Sequence, residues 1–327
     1  MQPQESERGA ALLSVLLMVA VLAVIAATTL DRLALSTKLS VNGNALAQAR
    51  MFSYAAENIA AARIEDLVAR DAAQTTLDGG WLGKEQILPI PVGQATATVH
   101  DGGNCFNLNS LVSEAEGRYL ASATGQEQFS SLMVILGINE GNARAIAAAA
   151  ADWADSDNVA LQNGAEDDAY RATATPYLTA NNLFAHPSEI RAIKGVTPAI
   201  YAKLRGWICA LPEAELSPLN VNTLLPEQAP LLAMLFPPGR MNAATARSHL
   251  AKRPASGYGS LIRFWEAPEL AALQPSTLVQ GQVKLTSKYF LLDTKVSLGE
   301  LTLEGESMLV ASPAPARVIW RSWGEQE

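Results

Sequence analysis

The feature that most constrains this chain is an uncharged apolar run near its start. Ala10 to Leu30 spans twenty-one residues, AALLSVLLMVAVLAVIAATTL, without one charged side chain. At about 1.5 Å per residue, a helix of this length matches a hydrocarbon core of about 30 Å. A secretory signal peptide would have a shorter apolar region, of about 7–15 residues, closed by a small-x-small cleavage site. Here Asp31-Arg32 follow and helix-compatible sequence continues, so we predict a transmembrane helix over residues 10–30.

A short polar leader, MQPQESERG, precedes the apolar run and ends in glycine. This arrangement resembles the class III leader of type IV pilins and type II secretion pseudopilins, which prepilin peptidase cuts after the glycine. The resemblance implies a leader over residues 1–9, cleavage between Gly9 and Ala10, and prepilin peptidase as a partner. The alternative for this segment is an ordinary N-terminal membrane anchor.

The fifth residue of such a mature chain is Ser14. Major pilins and pseudopilins have a glutamate there, which is thought to neutralise the N-terminal amine of the neighbouring subunit in the lipid phase. A buried charge without a partner is costly, so a subunit with serine cannot neutralise a subunit placed above it. Such a subunit can still be the first one in, which points to the tip of a filament.

Charge and motif content argue against several classes of function. The chain of 327 residues has a net charge of −8 and a pI near 5.1, which argues against a nucleic-acid partner or an anionic membrane surface. The sequence has no G-x-S-x-G elbow, no Walker A loop and no G-x-G-x-x-G motif. Its three histidines are scattered, so a zinc site is not expected. We therefore predict that the protein is not an enzyme.

The hydrophobic pattern indicates an α+β fold that is divided by an insertion. Residues 31–68 continue as an amphipathic helix, and residues 93–109 alternate as a strand does. Residues 282–323 alternate again, which predicts three or four antiparallel strands with turns at 297–299 and 304–305. A long N-terminal helix with a small antiparallel sheet resembles the pilin scaffold. The predicted organisation is a pilin-like domain in two parts, 31–110 and 279–327, around an inserted α-helical domain, 111–278.

Two segments of the insertion, 188–204 and 219–252, resemble helix-hairpin-helix units of SAM-like domains. In DNA-binding versions the hairpin amides grip phosphate, usually through two glycines separated by one residue. Here Thr197 occupies the position of the second glycine, and Lys194 and Lys203 supply nearby positive charge. A packing module is therefore favoured over a DNA-binding one.

The most chemically suggestive stretch is acidic. Six carboxylates lie between Asp152 and Asp168 and would repel one another without a cation among them. Calcium accepts six to eight oxygen ligands in a flexible geometry, and oxygens at alternate positions suit such an ion. The spacing is not that of an EF-hand, and a solvated acidic loop is the alternative. The first candidate ligands are Asp155, Asp157, Glu166 and Asp167, and Asp152 and Asp168 are secondary candidates.

The two cysteines, Cys105 and Cys209, both lie well beyond the predicted anchor. If that part of the chain is outside the inner membrane, they are in an oxidising compartment and are expected to pair. The alternative is two unrelated buried thiols. A disulfide that closes a loop of this size would contribute up to about 4.7 kcal/mol in the chain-entropy model.

Taken over its whole length, the chain resembles the protein K family of type II secretion systems, the large minor pseudopilins. The resemblance depends on the leader and apolar helix, Cys105-Phe106-Asn107-Leu108-Asn109, the acidic loop, the Trp207–Pro212 segment, and Leu219-Asn220-Val221-Asn222-Thr223. It implies a pilin fold with an inserted α-domain, a disulfide, and bound Ca²⁺ in the acidic region. It also implies a single-pass protein of the inner membrane, in contact with its lipid, with the globular part in the periplasm.

The resemblance further implies assembly with the minor pseudopilins I and J into a tip complex that starts the pseudopilus. The inserted domain would be too bulky to fit along a filament shaft, in agreement with the serine at position 14. Two other classes of function remain open from the sequence. One is a membrane-anchored competence protein that holds DNA through its helix-hairpin-helix units, and the other is an anchored enzyme that uses the acidic loop as a metal site.

Overall fold

A computed structural model describes the backbone of residues 5–324 and the side chains of residues 11–324. The chain begins with one long helix, α1 (Glu5–Arg70). Within the described part, this helix alone is long and apolar enough to cross a membrane, with an 18-residue window of mean hydropathy 2.8 and no buried residue. Residues 1–4 of the predicted leader and the side chains of residues 5–10, around the predicted cleavage between Gly9 and Ala10, lie outside the described residues.

The strands form one main sheet and two small pairs. In chain order they are β1 (Gln86–Leu88), β2 (Gln94–Asp101), β3 (Phe106–Asn107), β4 (Val112–Ala115), β5 (Arg118–Ala121), β6 (Ile208–Cys209), β7 (Tyr289–Leu298), β8 (Leu301–Val310) and β9 (Arg317–Trp323). The main sheet has the order β1-β2-β7-β8-β9 and is antiparallel throughout. Strand β3 pairs with β6 in parallel, and β4 forms a hairpin with β5.

The second half of α1 packs on one face of the main sheet. The helix presents small and apolar residues to the alternate residues of β7 and β8 that point towards it: Ala49, Ala56, Ala60 and Ile64 against Phe290, Leu292, Val296, Leu303 and Leu309. Burial of this stripe stabilises the fold by about 25 cal/mol for each Å² of apolar surface that is removed from water. The predicted long helix on a small antiparallel sheet is confirmed.

A buried ion pair fastens the last strand to this helix. Glu57 is almost fully buried and accepts hydrogen bonds from Arg321 Nε and Nη2 at 3.0 and 2.8 Å. Ser307 of β8 donates to the same carboxylate at 2.6 Å. A buried charge is stable only when it is paired and hydrogen-bonded, and here α1, β8 and β9 each supply one partner.

One predicted turn is wrong. The turn between β7 and β8 lies at Gly299, with φ +62°, as the alternation predicts. Glu304 and Gly305, however, lie in the middle of β8, where Gly305 faces Thr294. A Cβ on Gly305 would come within 2.9 Å of both the Thr294 hydroxyl and the Trp323 ring. The glycine therefore permits close packing within a strand and does not mark a turn.

The regular structure between β2 and β7 is mainly helical, but the predicted α-helical insertion also contains the short strands β4 to β6. Its helices are α2 (Ala123–Ile135), α3 (Glu140–Ala154), α4 (Asp167–Arg171), α5 (Pro198–Leu204), α6 (Ala229–Ala233), α7 (Ala243–Ala251), α8 (Leu261–Trp265), α9 (Pro268–Ala271) and α10 (Thr277–Gln282), with 3-10 helices at Leu108–Leu111, Pro187–Ala192 and Pro226–Gln228. The alanine run of α3 is buried, as its composition predicts. Phe106 stacks on Phe129 of α2 at 4.6 Å between ring centres, within the largest apolar core of the described chain.

The inserted part begins and ends at one place on the sheet. Asp101 of β2 lies opposite Phe290 of β7, and the Gly102 amide donates to the Tyr289 carbonyl at 2.9 Å. Close to this point, Cys105 and Cys209 form a disulfide with 5.8 Å between their Cα atoms. The predicted disulfide is therefore present, and it joins the first residues of the insertion to β6.

The carboxylate of Asp101 is at the centre of this junction. It is buried and accepts hydrogen bonds from the hydroxyls of Thr223 and Ser287 and from the Gly103 amide. Asn220 extends the network by donating to Ser287 Oγ at 2.8 Å. Burial raises the pKa of Asp101 above its ordinary value, although these hydrogen bonds act in the opposite direction.

The Asn107 side chain holds together the chain segments behind the disulfide. Its amide nitrogen donates to the carbonyls of Glu213 and Glu215, both at 3.0 Å. Its amide oxygen accepts from the backbone N–H groups of Asn109 and Leu211. All four hydrogen-bonding capacities of this buried amide are thus used, which gives one asparagine of the Cys105–Asn109 motif a structural role.

Candidate metal centre

The acidic site is built where α3 stops and α4 starts. Helix α3 begins at the N-cap Asn139, whose side chain accepts from Gly141 N, and ends at Asp155, which has extended backbone angles. The chain then loops away and returns at Glu166, the N-cap residue of α4. One helix end and one helix start are therefore brought together, each with a carboxylate.

Three carboxylates meet at this point. Asp155, Asp157 and Glu166 each offer an oxygen atom, and these oxygens all lie within 4.8 Å of one another. Asp155 is 3% exposed and Glu166 is 6% exposed. Asp155 Oδ1 and Glu166 Oε1 are buried and have no hydrogen-bond partner. Buried polar atoms are nearly always paired, so two such oxygens in one cluster indicate a ligand that completes them.

The electrostatics of the site indicate a positive ligand. Burial, followed by repulsion from Asp157 and Asp152, raises the pKa of Asp155 to about 7. Burial, followed by repulsion from Asp152, raises the pKa of Glu166 to about 7. A cation among these oxygens would offset both the desolvation and the repulsion. The donors are all oxygen, which suits a hard cation such as calcium, with backbone carbonyls and water as further ligands.

The two following acids are held differently. Asp167 accepts from the Thr179 amide at 3.0 Å and the Thr179 hydroxyl at 2.8 Å, and it pairs with Arg171 at 2.9 Å. The hydrogen bond from the Thr179 hydroxyl is the main cause that lowers the pKa of Asp167. The Asp168 side chain is fully exposed and lies 3.5 Å from Arg171. The predicted ligand Asp167 thus borders the cluster and is not part of it.

Two residues next to the cluster make hydrogen bonds that their sequence positions do not predict. Asp152, near the end of α3, accepts hydrogen bonds from the amides of Leu161 and Ala165, which are both in the loop. Thr179 donates through its hydroxyl to Asp167 and, at 3.3 Å, to Glu166. Thr179 lies more than ten residues beyond the acids, and no motif or spacing in the sequence points to it.

The segment 188–204 folds as two short helical turns joined by a tight bend. The 3-10 helix Pro187–Ala192 is followed by Gly195, with φ +90°, and then by α5, which Thr197 caps. Lys203 donates to the Gly137 carbonyl, and the guanidinium of Arg191 lies 5.4 Å from the ring centre of Tyr201. These cations have partners within the chain. The assignment of this segment and of 219–252 to helix-hairpin-helix units stays a prediction.

The chain is similar to a known protein family over most of its length. The sequence profile described as type II secretion system protein K matches residues 104–213 and 219–286 in two parts. The type II secretion system protein K of Klebsiella pneumoniae is 32% identical over 97% of each chain. The protein of the same name from Pectobacterium carotovorum is 30% identical over 97% of each chain.

A solved structure has the same architecture. It is the crystal structure of the GspK-GspI-GspJ complex from the type 2 secretion system of enterotoxigenic Escherichia coli, and the matching chain is 28% identical with a TM-score of 0.76. The match covers 88% of the present chain and 99% of that chain. The pilin-like part and the inserted helices therefore have a relative within a three-protein complex.

Proposed function

Because the chain belongs to the type II secretion system protein K family, we propose that it is a minor pseudopilin that caps the pseudopilus tip. In this role it starts assembly of the filament together with the minor pseudopilins I and J, for export of proteins across the outer membrane. The observation that carries the proposal is the likeness to a chain crystallised with GspI and GspJ. The protein is then a structural subunit and not a catalyst.

The long helix supplies the filament-forming part of this function. Its first half is apolar and exposed from Ala11 onward, so one helix fits single-pass anchoring in a membrane. In the proposed cycle, prepilin peptidase cuts between Gly9 and Ala10, and the helix lies first in inner-membrane lipid and then beside other pseudopilin helices. The domains after residue 30 would be in the periplasm, where a disulfide is stable.

The inserted helices restrict the positions that the subunit can occupy in a filament. They make the chain much larger than its helix and sheet require, and a filament shaft has no space beside each helix for such a block. Ser14 agrees with a position at the end, because it offers no carboxylate to the amine of a subunit above. The tip is the one position that satisfies both constraints.

The experiment that tests this function compares the full chain with a variant that lacks the inserted part. Since Gly102 and Tyr289 are hydrogen-bonded neighbours, a short Gly-Ser turn can replace residues 103–287 and keep the five-stranded sheet. The full chain should co-purify from detergent with the minor pseudopilins I and J of the same system and restore secretion to a strain without it. The shortened variant should insert in the membrane but fail to restore secretion.

Two results would contradict the tip role. One is full secretion with the shortened variant, provided that protease resistance shows its sheet to be folded. The other is a failure of the full chain to bind I and J together under conditions in which I and J bind each other. Secretion lost by both chains in the same strain would instead indicate that expression is at fault, which immunoblotting of membranes checks.

We also propose that the cluster of Asp155, Asp157 and Glu166 holds a structural Ca²⁺. The support is the two buried oxygens without partners and the all-oxygen donor set. An ion that binds only the folded chain stabilises it, by about 2.7 kcal/mol at 100 times its Kd. We expect the melting temperature to fall by a few degrees on chelation and to recover when Ca²⁺ is restored.

The matched variants separate this site from general acidity. Asp155→Asn should remove most of the Ca²⁺-dependent rise in melting temperature, since it removes a buried ligand charge. Asp168→Asn removes a charge nearby, from a side chain that is fully exposed, and should leave the rise unchanged. An identical melting temperature with chelator and with excess Ca²⁺ in the wild-type chain would contradict the site.

A further inference from the structure

The loop between the proposed ligands is closed by a carboxylate that is itself fully buried. Asp152 is 0% exposed, and its Oδ2 accepts from the Ala165 amide at 2.7 Å. The Leu161 amide lies 3.1 Å from Oδ1 and 3.3 Å from Oδ2. Both carboxylate oxygens are thus occupied by backbone donors of the loop, one of them directly before Glu166.

The position of Asp152 on the helix explains why it reaches this loop. It lies in the last turn of α3, three residues before the C-cap residue Asp155, so both side chains leave the helix near its end. The Asp155 carboxylate faces the cluster, while the Asp152 carboxylate faces the loop that leads back to Glu166. Burial raises the pKa of Asp152, and the two amides act against this rise.

Gly164 is the residue that lets the loop approach so closely. A Cβ on Gly164 would come within 1.9 Å of Asp152 Oδ2 and 2.8 Å of the carboxyl carbon. The backbone of Gly164 is not in the left-handed region, so its role is to leave space and not to supply an unusual conformation. Any side chain there would displace the Asp152 carboxylate from the loop amides.

We infer that Asp152 and Gly164 form a clamp that sets the ion affinity without touching the ion. Asp152 is then a positioning residue, which holds the loop closed so that Glu166 already faces Asp155 when the ion arrives. This inference rests on the proposed Ca²⁺ site. Groups that orient ligands typically change metal affinity by about 10- to 100-fold when they are altered.

The test uses Tb³⁺, which replaces Ca²⁺ among oxygen ligands and luminesces with a lifetime that counts its bound water molecules. The full chain is purified in detergent, and affinity is measured by titration of the luminescence excited through nearby aromatic rings. Lifetimes in H₂O and D₂O then give the number of waters on the ion. Calcium competition confirms that both ions occupy one site.

Asp152→Asn should weaken the affinity for Tb³⁺ by about 10- to 100-fold and leave the number of bound waters unchanged. Gly164→Ala should do the same while every carboxylate is retained, so its effect cannot come from a lost charge. Asp168→Asn, which removes a charge but leaves the clamp intact, should keep its affinity within about twofold. Asp155→Asn, by contrast, should add water to the ion or abolish binding.

The outcomes separate this inference from the site itself. More bound water in Asp152→Asn would make Asp152 a ligand and overturn the clamp, and so would unchanged affinity in both clamp variants. No Tb³⁺ or Ca²⁺ binding by the wild-type chain would instead remove the proposed site. Should either variant not fold, hydrogen exchange of the ion-free wild-type chain decides: the amides of Leu161 and Ala165 should be protected, and rapid exchange of both contradicts a preformed clamp.

Discussion

At the scale of single residues, the buried polar groups discussed above mostly have hydrogen-bond partners within the chain, on the backbone or on other side chains. Asn107 uses all four of its hydrogen-bonding capacities, and Glu57 receives donors from Ser307 and Arg321. Such groups are costly to leave unpaired. The two orphan oxygens of the acidic cluster differ from this rule, and the difference is the reason for proposing an ion there.

The buried carboxylate of Asp101 gives a pH dependence of stability. Its pKa is raised in the folded chain above the ordinary 3.8, so the folded state binds a proton more tightly than the unfolded state does. Its contribution to the free energy of unfolding is therefore present below about pH 3.8 and is lost as the pH rises through the folded pKa. Asp101→Asn cannot titrate and should lack this loss.

Chemical denaturation of both chains from about pH 4 to about pH 8 measures the effect. The free energy of unfolding of Asp101→Asn, relative to the wild type, should increase as the pH rises. The Thr223 and Ser287 hydroxyls can turn to accept from the new amide, so the fold should tolerate the change. Parallel pH profiles, or a relative loss at high pH, would show that the pKa of Asp101 is not raised.

At the scale of elements, the sequence predicts helices and strands that have a regular hydrophobic pattern. It misses features that depend on contacts with residues distant in sequence. The apolar run predicts α1, and the alternation after residue 282 predicts β7 to β9. The predicted turn at Gly305 is wrong because glycine is common both in turns and at strand positions where neighbouring side chains pack closely. Only the positions of Thr294 and Trp323, distant in sequence, distinguish the two.

The acidic site shows the same limit. Composition and spacing single out Asp155, Asp157, Glu166 and Asp167, of which the fold brings the first three together. Composition and spacing do not distinguish a carboxylate that faces a cluster from one that is hydrogen-bonded elsewhere. Asp152 accepts from a backbone amide, and Asp167 accepts from a hydroxyl. Those roles are decided by where the loop amides and Thr179 lie after folding.

The packing around Gly305 leads to a prediction that runs against strand propensity. Valine is favoured in strands, yet Gly305→Val should destabilise the chain, because its side chain would overlap Thr294 and Trp323. Overpacking of this kind costs about 1–3 kcal/mol, measured as a lower denaturation midpoint. The matched control is Gly281→Ala in α10, where a Cβ meets nothing within 4 Å. A Gly305→Val chain as stable as the control would contradict the packing.

At the scale of the whole molecule, the disulfide ties the start of the insertion to β6 within the insertion, beside the polar junction that joins the insertion to the sheet. Cys105 and Cys209 are separated by 104 residues, which is a large part of the inserted chain. Replacement of both cysteines by serine should lower the free energy of unfolding by up to about 4.7 kcal/mol. The measurement is denaturation with and without reductant.

Reductant serves as the internal control for this prediction. It should lower the stability of the wild-type chain towards that of the double serine variant and leave the variant unchanged. Equal stability of the oxidised wild type and the variant would contradict a stabilising role of the disulfide within the inserted part.

The adjacency of Gly102 and Tyr289 has a consequence for the origin and the engineering of such proteins. Two neighbouring strands need only a tight hairpin between them, so a whole folded module could have been acquired there in one genetic event without disturbing the register of the sheet. The same position, between Gly102 and Tyr289, is suited to the insertion of other domains. A reporter or foreign binding module whose termini lie close together could replace the native helices while the pilin body beneath it folds as before.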